Sequence, residues 1–221
     1  MARRPRVGIF GGTFDPPHLG HVVVAREVAD AVDLERVLWV PAAIPPHKRH
    51  RSLTRAAVRR RMVEAAVARD PRFELCDLEL ERGGVSYTVD TLRSLKAAHP
   101  EWSLVLIVGT DLVAGMSAWR EPDAVAELAE LVVMSRDGEA PGSDCRGRVV
   151  PVTRVDVSSS RVRKRVRGRR AVRDMVGAHI LSIIESEGLY RQPERAKVGV
   201  KGQRIQEGRV SSVEGDTGQA E

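Results

Sequence analysis

Residues 11–21 read Gly11-Gly12-Thr13-Phe14-Asp15-Pro16-Pro17-His18-Leu19-Gly20-His21, directly after the apolar run Val7-Gly8-Ile9-Phe10 and directly before the amphipathic run 22–32. The order describes a turn between a strand and a helix. Gly11 and Gly12 lack Cβ, so the backbone there is free to take positive φ and to approach a ligand closely, and the fixed φ of Pro16 and Pro17 suits a helix's first turn. His18 and His21 stand three apart, on one face of that turn. A helix start presents unpaired N–H groups and partial positive charge, so two imidazoles placed there make a site for anionic oxygens. Metal ligation is a weaker alternative, because no third Cys, His or carboxylate stands at a familiar helical spacing.

Outward from this turn, short β-branched runs recur at residues 37–40, 73–80, 104–108, 131–134 and 149–152, most of them separated by helical patterns. This is the rhythm of an α/β fold, a Rossmann-like doubly wound parallel sheet. The spacing predicts helices over 19–32, 55–68, 89–98 and 122–129, and C-terminal helices over 160–166 and 171–187. Residues 1–191 then make one domain. From Gln192 the chain lacks aromatic residues and balances five acids with five bases, which reads as a disordered tail; a partner-binding segment is the alternative.

The 221 residues are 42% hydrophobic, enough for a core of ordinary size. No stretch has the roughly 18 apolar residues of a membrane span, and the opening residues lead into a strand rather than a signal-peptide apolar region, so the cytoplasm is expected. Cys76 and Cys145 lie in no metal-like spacing and are expected as free thiols. The formal charge of +6 is segregated: residues 48–61 carry seven Lys or Arg and no acid, and residues 146–173 carry eleven against Asp156 alone. Such surfaces suit nucleic acid or a triphosphate held between two loops. Neither basic stretch contains Phe, Tyr or Trp for base stacking, which disfavours a single-strand nucleic-acid module. Oligomeric state is left open.

Two distant segments extend the anion site. Val157-Ser158-Ser159-Ser160-Arg161-Val162-Arg163 precedes a helix, and its hydroxyls and free N–H groups suit phosphate oxygens, although a capped helix with a basic outer face accounts for the same residues. Pro45-Pro46-His47-Lys48 follows the second strand, at the sheet edge where doubly wound folds place ligands, and Lys48 can lie over phosphates as a point charge or remain a solvated loop lysine.

The string 11–21 resembles the Gly-Gly-x-Phe-Asp-Pro-x-His-x-Gly-His signature of the nucleotidylyltransferase superfamily with the His-x-Gly-His motif. Residues 157–163 resemble that superfamily's Ile-Ser-Ser-Thr-x-x-Arg element, with Ser160 in place of Thr and Arg163 on the phosphate-binding arginine. Ser86-Tyr87-Thr88-Val89-Asp90-Thr91-Leu92, Arg59-x-x-Met62, and Gly109-Thr110-Asp111 followed by Trp119 resemble segments of the bacterial nicotinate mononucleotide adenylyltransferases, and the likeness runs from Arg6 to about Arg191. The resemblance implies transfer of AMP from ATP to nicotinate mononucleotide, giving deamido-NAD and pyrophosphate in NAD biosynthesis. It puts Gly11, Gly12, Thr13, Phe14, His18, Gly20, His21, Gly109, Asp111, Ser158, Ser159, Ser160 and Arg163 on ATP, with Gly20 leaving room for the adenine nucleotide. It puts Thr13, Lys48, Tyr87, Thr88 and Trp119 on the acceptor, and makes His18, His21, Lys48 and Arg163 the catalytic charge stabilisers.

Those assignments are physically reasonable. The acceptor's phosphate oxygen is already ionised at pH 7, so no nucleophile-activating pair is required, and none is evident. Trp119 can stack on a cationic pyridine ring or serve as a core tryptophan, and N–H groups near Tyr87 and Thr88 can receive a carboxylate. Asp111 can accept from ribose hydroxyls, help hold metal-bound phosphates, or cap a helix. Mg²⁺ is expected, held mainly by ATP oxygens and water. Other acceptors remain as alternatives, nicotinamide mononucleotide or pantetheine phosphate, and the residues alone do not separate acid from amide.

Overall fold

The computed structural model describes residues 3–46, 52–136 and 147–191. Lys48, Cys145 and the tail from Gln192 lie outside the described residues. Within the compact unit Met1–Arg191, the elements run β1 (Arg6–Gly12), α1 (Leu19–Ala31), β2 (Arg36–Pro41), α2 (Ala56–Val67), β3 (Phe73–Leu75), α3 (Leu78–Arg82), α4 (Thr88–Ala98), β4 (Ser103–Gly109), α5 (Thr110–Val113), α6 (Pro122–Leu128), β5 (Glu130–Arg136), β6 (Arg148–Val152), α7 (Ser159–Arg167), α8 (Arg173–Val176) and α9 (Ala178–Ser186).

Among the described residues six strands form one parallel sheet, in the order β3-β2-β1-β4-β5-β6. β1 pairs with β2 through Val7↔Arg36 to Gly12↔Pro41 and with β4 through Arg6↔Ser103 to Ile9↔Leu106. The chain therefore winds outward from β1 in both directions, and the crevice between the carboxyl ends of β1 and β4 is where such sheets take ligands.

Alternation along the strands sorts the side chains into two cores. Phe10, Val37, Trp39, Val105, Ile107, Val132 and Met134 face α1, α2, α7, α8 and α9, which contribute Val28, Met62, Val162, Val176 and Ile184. Val7, Ile9, Leu38, Val40, Leu106 and Val133 face α4 and α6, which contribute Val89, Leu92, Leu95 and Val125. Burial of the sheet on both faces explains why the strands read as continuous apolar runs. Among the described residues no helix is long and apolar enough to cross a membrane, and Cys76 is a free thiol.

Three local expectations give way to tertiary context. The run 73–80 is not one strand: β3 stops at Leu75 after three pairs with β2, and α3 begins at Leu78, turning Glu79 inward to accept a 2.6 Å hydrogen bond from Thr91 Oγ1. The helix expected over 171–187 is two helices, broken at Gly177 with φ 85°. Pro16 and Pro17 are not in the first turn of α1. They are buried in the preceding loop, with the Asp15–Pro16 peptide bond cis, and the helix starts at Leu19 with His18 as its N-cap residue.

Candidate active site

The loop that leaves β1 is shaped by its aromatic residue rather than by its glycines. Gly11 and Gly12 end the strand without positive φ; the left-handed residue is Phe14, at φ 48°. Its ring is driven into the core, stacked on Trp39 at 5.2 Å and edge-on to Phe10 at 5.7 Å. Of the residues expected on ATP, Phe14 thus has only its backbone to offer a ligand, and its burial offsets the unfavourable dihedral. A Cβ at Gly12 would press on that ring at 2.9 Å, whereas one at Gly11 would meet nothing within 4 Å.

Five groups from elsewhere in the chain tie this loop down. Arg59 of α2, 2% exposed, donates to the carbonyls of Thr13 (3.0 Å), Ala42 (2.6 Å), Ala43 (3.1 Å) and Thr54 (3.0 Å), so one guanidinium joins the segments that follow β1 and β2. The Asp15 carboxylate accepts from Thr54 N–H (3.1 Å) and from Tyr190 O–H (2.6 Å). Arg163 donates to the Asp15 carbonyl at 2.6 Å and to Ser160 Oγ at 3.1 Å, and Ser159 Oγ donates to the Pro16 carbonyl at 2.8 Å. The start of α7, with Ser158 Oγ accepting from Arg161 N–H as its N-cap, is thereby bolted to a loop about 145 residues earlier in the chain.

His18 and His21 lie at the mouth of α1. Their rings stack at 3.7 Å with an interplanar angle of 27°, and His21 Nδ1 accepts the His18 backbone N–H at 3.1 Å. His21 therefore caps its own helix. Gly20 gives room to histidine rather than to open space, since a Cβ there would meet His18 Nδ1 at 3.1 Å and Cε1 at 3.2 Å. Among the described residues the buried His18 Nδ1 atom has no hydrogen-bond partner.

Burial, and secondarily the nearby Arg136 guanidinium, push the His18 pKa from 6.5 down to about 4. The ligand-free protein thus holds this imidazole neutral at pH 7. The unfolded chain takes up the corresponding proton near pH 6.5, so the stability contributed by this difference is complete above 6.5 and lost progressively as the pH falls toward 4. The loss amounts to about 3 kcal/mol. The urea midpoint of the wild type should accordingly fall more between pH 7 and 4.5 than that of His18→Gln, and equal slopes for the two proteins would refute the assignment.

His18, Gly20 and His21 line a cavity of about 140 Å³ together with Gly109, Asp111 and Arg136. A second cavity, of about 330 Å³, shares Gly109, Asp111 and Arg136 and continues to Arg154 and Ser158. The carboxyl ends of β1 and β4, the start of α1 and the start of α7 thus face one cleft, as the spacing of the motifs requires. Arg136 and Arg154 line it without having been expected. Arg136 follows the apolar run of β5 at the ligand edge of the sheet, a position that could have marked it.

On the other side, Tyr87 is the N-cap residue and Thr88 the first residue of α4. The segment before them is pinned to the loop after β2: Ile44 and Val85 form a parallel bridge, Ser86 N–H donates to the Ile44 carbonyl (3.0 Å), and Ser86 Oγ accepts from Ala43 N–H (2.9 Å). Tyr87 and Trp119 are both half-buried against the α4-side core, with the Arg120 guanidinium 4.9 Å from the centre of the Tyr87 ring. Among the described residues no group of three His, Cys, Asp or Glu is arranged to hold a metal.

Comparison with known proteins agrees with this architecture. Residues 9–165 match the model of the cytidylyltransferase-like family. A protein of Shouchella clausii named "Probable nicotinate-nucleotide adenylyltransferase" is 40% identical over 185 residues, covering 84% of this chain and 96% of that one. A protein of the same name from Thermus thermophilus is 43% identical over 188 residues, covering 84% of this chain and all of its own length. The solved structure of Plasmodium falciparum nicotinic acid mononucleotide adenylyltransferase complexed with NaAD superposes with a TM-score of 0.70 over 84% of this chain and 97% of that one. At 20% identity, this last likeness speaks for the fold.

Proposed function

Because the chain belongs to the nicotinate-nucleotide adenylyltransferases of the cytidylyltransferase-like family, we propose that it transfers AMP from ATP to nicotinate mononucleotide, forming nicotinic acid adenine dinucleotide and pyrophosphate in NAD biosynthesis. The observation that carries this reading is the convergence of His18, Gly20 and His21 with Gly109, Asp111 and Ser158 on one cleft at the sheet's switch point.

In the reaction, a phosphate oxygen of the mononucleotide attacks the α-phosphorus of ATP, one P–O bond forms, and the bond to the departing pyrophosphate breaks. The nucleophile arrives ionised, so the protein's task is alignment and charge stabilisation. His18 and His21 meet the triphosphate at the start of α1, the backbone of Gly11, Gly12 and Thr13 approaches it, and Ser158, Ser159, Ser160 and Arg163 serve the phosphates from α7. Arg163 is held between Asp15 and Ser160 in the ligand-free protein, so it sits at the loop before substrate arrives. Lys48 completes the cation set, and Tyr87, Thr88 and Trp119 receive the pyridine ring and its carboxylate, with Thr13 beside them. The cytoplasm is the expected compartment.

Mg²⁺ fits this donor set. Two carboxylates line the cleft, and Asp156 is paired with Arg161, so Asp111 beside phosphate oxygens and water matches a metal that keeps most of its ligands from substrate; bound there it would offset charge on the triphosphate. The decisive experiment is pyrophosphate release from ATP with nicotinate mononucleotide, nicotinamide mononucleotide and pantetheine phosphate in parallel. Turnover is expected with the acid mononucleotide far above the other two. Preference for the amide or for pantetheine phosphate would replace the acceptor, and release with none of the three would overturn the reading.

A further inference from the structure

The end of the compact unit returns to the first loop. Helix α9 ends at Ser186, and two residues on Gly188 takes a left-handed φ of 60°, with Leu189 N–H donating to the Ile184 carbonyl (2.9 Å) and Gly188 N–H to the Glu185 carbonyl (3.2 Å). This reversal throws the chain back over α2. Glu187 there pairs with Arg55 (2.8 Å) and Arg61 (2.7 Å), while Leu189 and Tyr190 pack on the core. Tyr190, itself left-handed at φ 61°, then delivers its hydroxyl to Asp15 Oδ1 at 2.6 Å.

Asp15 is 5% exposed, and both of its carboxylate oxygens are engaged: Oδ2 by Thr54 N–H, Oδ1 by Tyr190. Its carbonyl holds Arg163. Thr54 lies just before α2, so the same carboxylate joins the loop after β1, the segment entering α2, and the C-terminal turn. Burial and the adjacent Asp15 carboxylate push the Tyr190 phenol far up, which keeps it a protonated donor at any working pH.

We propose that Tyr190 is a positioning residue of the adenylyl transfer, acting through Asp15 to fix where the loop amides and Arg163 meet the triphosphate. The inference rests on the proposed function. Its physical basis is the steep dependence of an in-line displacement on geometry, in which a displacement of about 1 Å costs on the order of 10²-fold in rate. With phenylalanine at 190 the ring still packs, but Asp15 loses one of its two side-chain anchors, and the loop is free to shift by fractions of an ångström.

The test is steady-state kinetics of the full chain with ATP and nicotinate mononucleotide, for wild type, Tyr190→Phe, Asp15→Asn, the double variant and Arg55→Ala, each checked for folding by circular dichroism. Tyr190→Phe should lower kcat roughly 10- to 100-fold, with KM for the mononucleotide changed less than about threefold. Asp15→Asn should do the same, and should serve alone if Tyr190→Phe does not fold. Because the two residues act as a unit, the double variant should be no worse than the poorer single one. Arg55→Ala loosens the same turn through Glu187 without touching Asp15 and should keep kcat. The inference is overturned by wild-type kcat in Tyr190→Phe, by multiplying effects in the double variant, or by an equal kcat loss in Arg55→Ala. Absence of turnover in the wild type would instead defeat the proposed function, so the two failures are distinguishable.

Discussion

Replacing His21 by alanine is expected to lower pyrophosphate release by ~10²- to 10³-fold, the loss typical of one preorganised group facing a transition-state charge. The structure adds a complication that the motif does not reveal. His21 Nδ1 accepts the His18 backbone N–H and its ring stacks on His18, so alanine removes a cap and a neighbour along with the imidazole. His21→Asn separates these roles, because its amide oxygen can accept the same N–H while offering no imidazole to phosphate. Both variants should be nearly silent, with His21→Asn the more stable of the two. Near wild-type turnover in His21→Asn would show that His21 only caps the helix.

The largest stability effect is expected at Arg59. Its guanidinium is 2% exposed and satisfies four backbone carbonyls from three segments. Burial lowers its pKa, and Asp15 and Tyr190 oppose that shift; an arginine nevertheless stays charged. Arg59→Ala removes the donor that these four carbonyls share, at a cost of about 4 kcal/mol, because buried acceptors lose this partner without regaining water. In a domain of this size the melting temperature should fall by roughly 10 °C, and turnover should fall with it as Thr13 is released. Arg59→Lys should recover little of either, since a single ammonium cannot span a planar fork of acceptors. Thermal unfolding of the two variants checks this, and a lysine variant as stable as wild type would mean that charge alone, not geometry, holds the loops.

Much of this was legible in the chain. The six apolar runs and their helical separators fix a doubly wound sheet, since strands buried on both faces must be apolar throughout and parallel neighbours need long crossovers. The Gly11–His21 string and the serines before Arg163 marked both halves of the cleft. What escaped were Arg136 and Arg154 in the cleft, and the contacts that Arg59, Asp15 and Tyr190 make with distant parts of the chain. Nothing at position 190 indicates that its hydroxyl meets residue 15, because a hydrogen bond over that separation has no local signature.

The glycines and prolines of the first loop show the same limit. Propensity assigned Gly11 and Gly12 the left-handed turn and the prolines the helix start. The structure gives the turn to Phe14 and ends the prolines before α1. Propensity differences of about 1 kcal/mol per residue were outweighed by burial of the Phe14 ring between Phe10 and Trp39, a contact available only once β1 and β2 lie side by side. By itself, then, the sequence determined the parallel sheet and marked the start of α1 as the candidate phosphate site, both of which follow from local periodicity and residue type. The tertiary structure alone decided that His18 is neutral, that Arg163 waits on Asp15, and that the chain's end braces its beginning, because each depends on burial and on partners more than a hundred residues away.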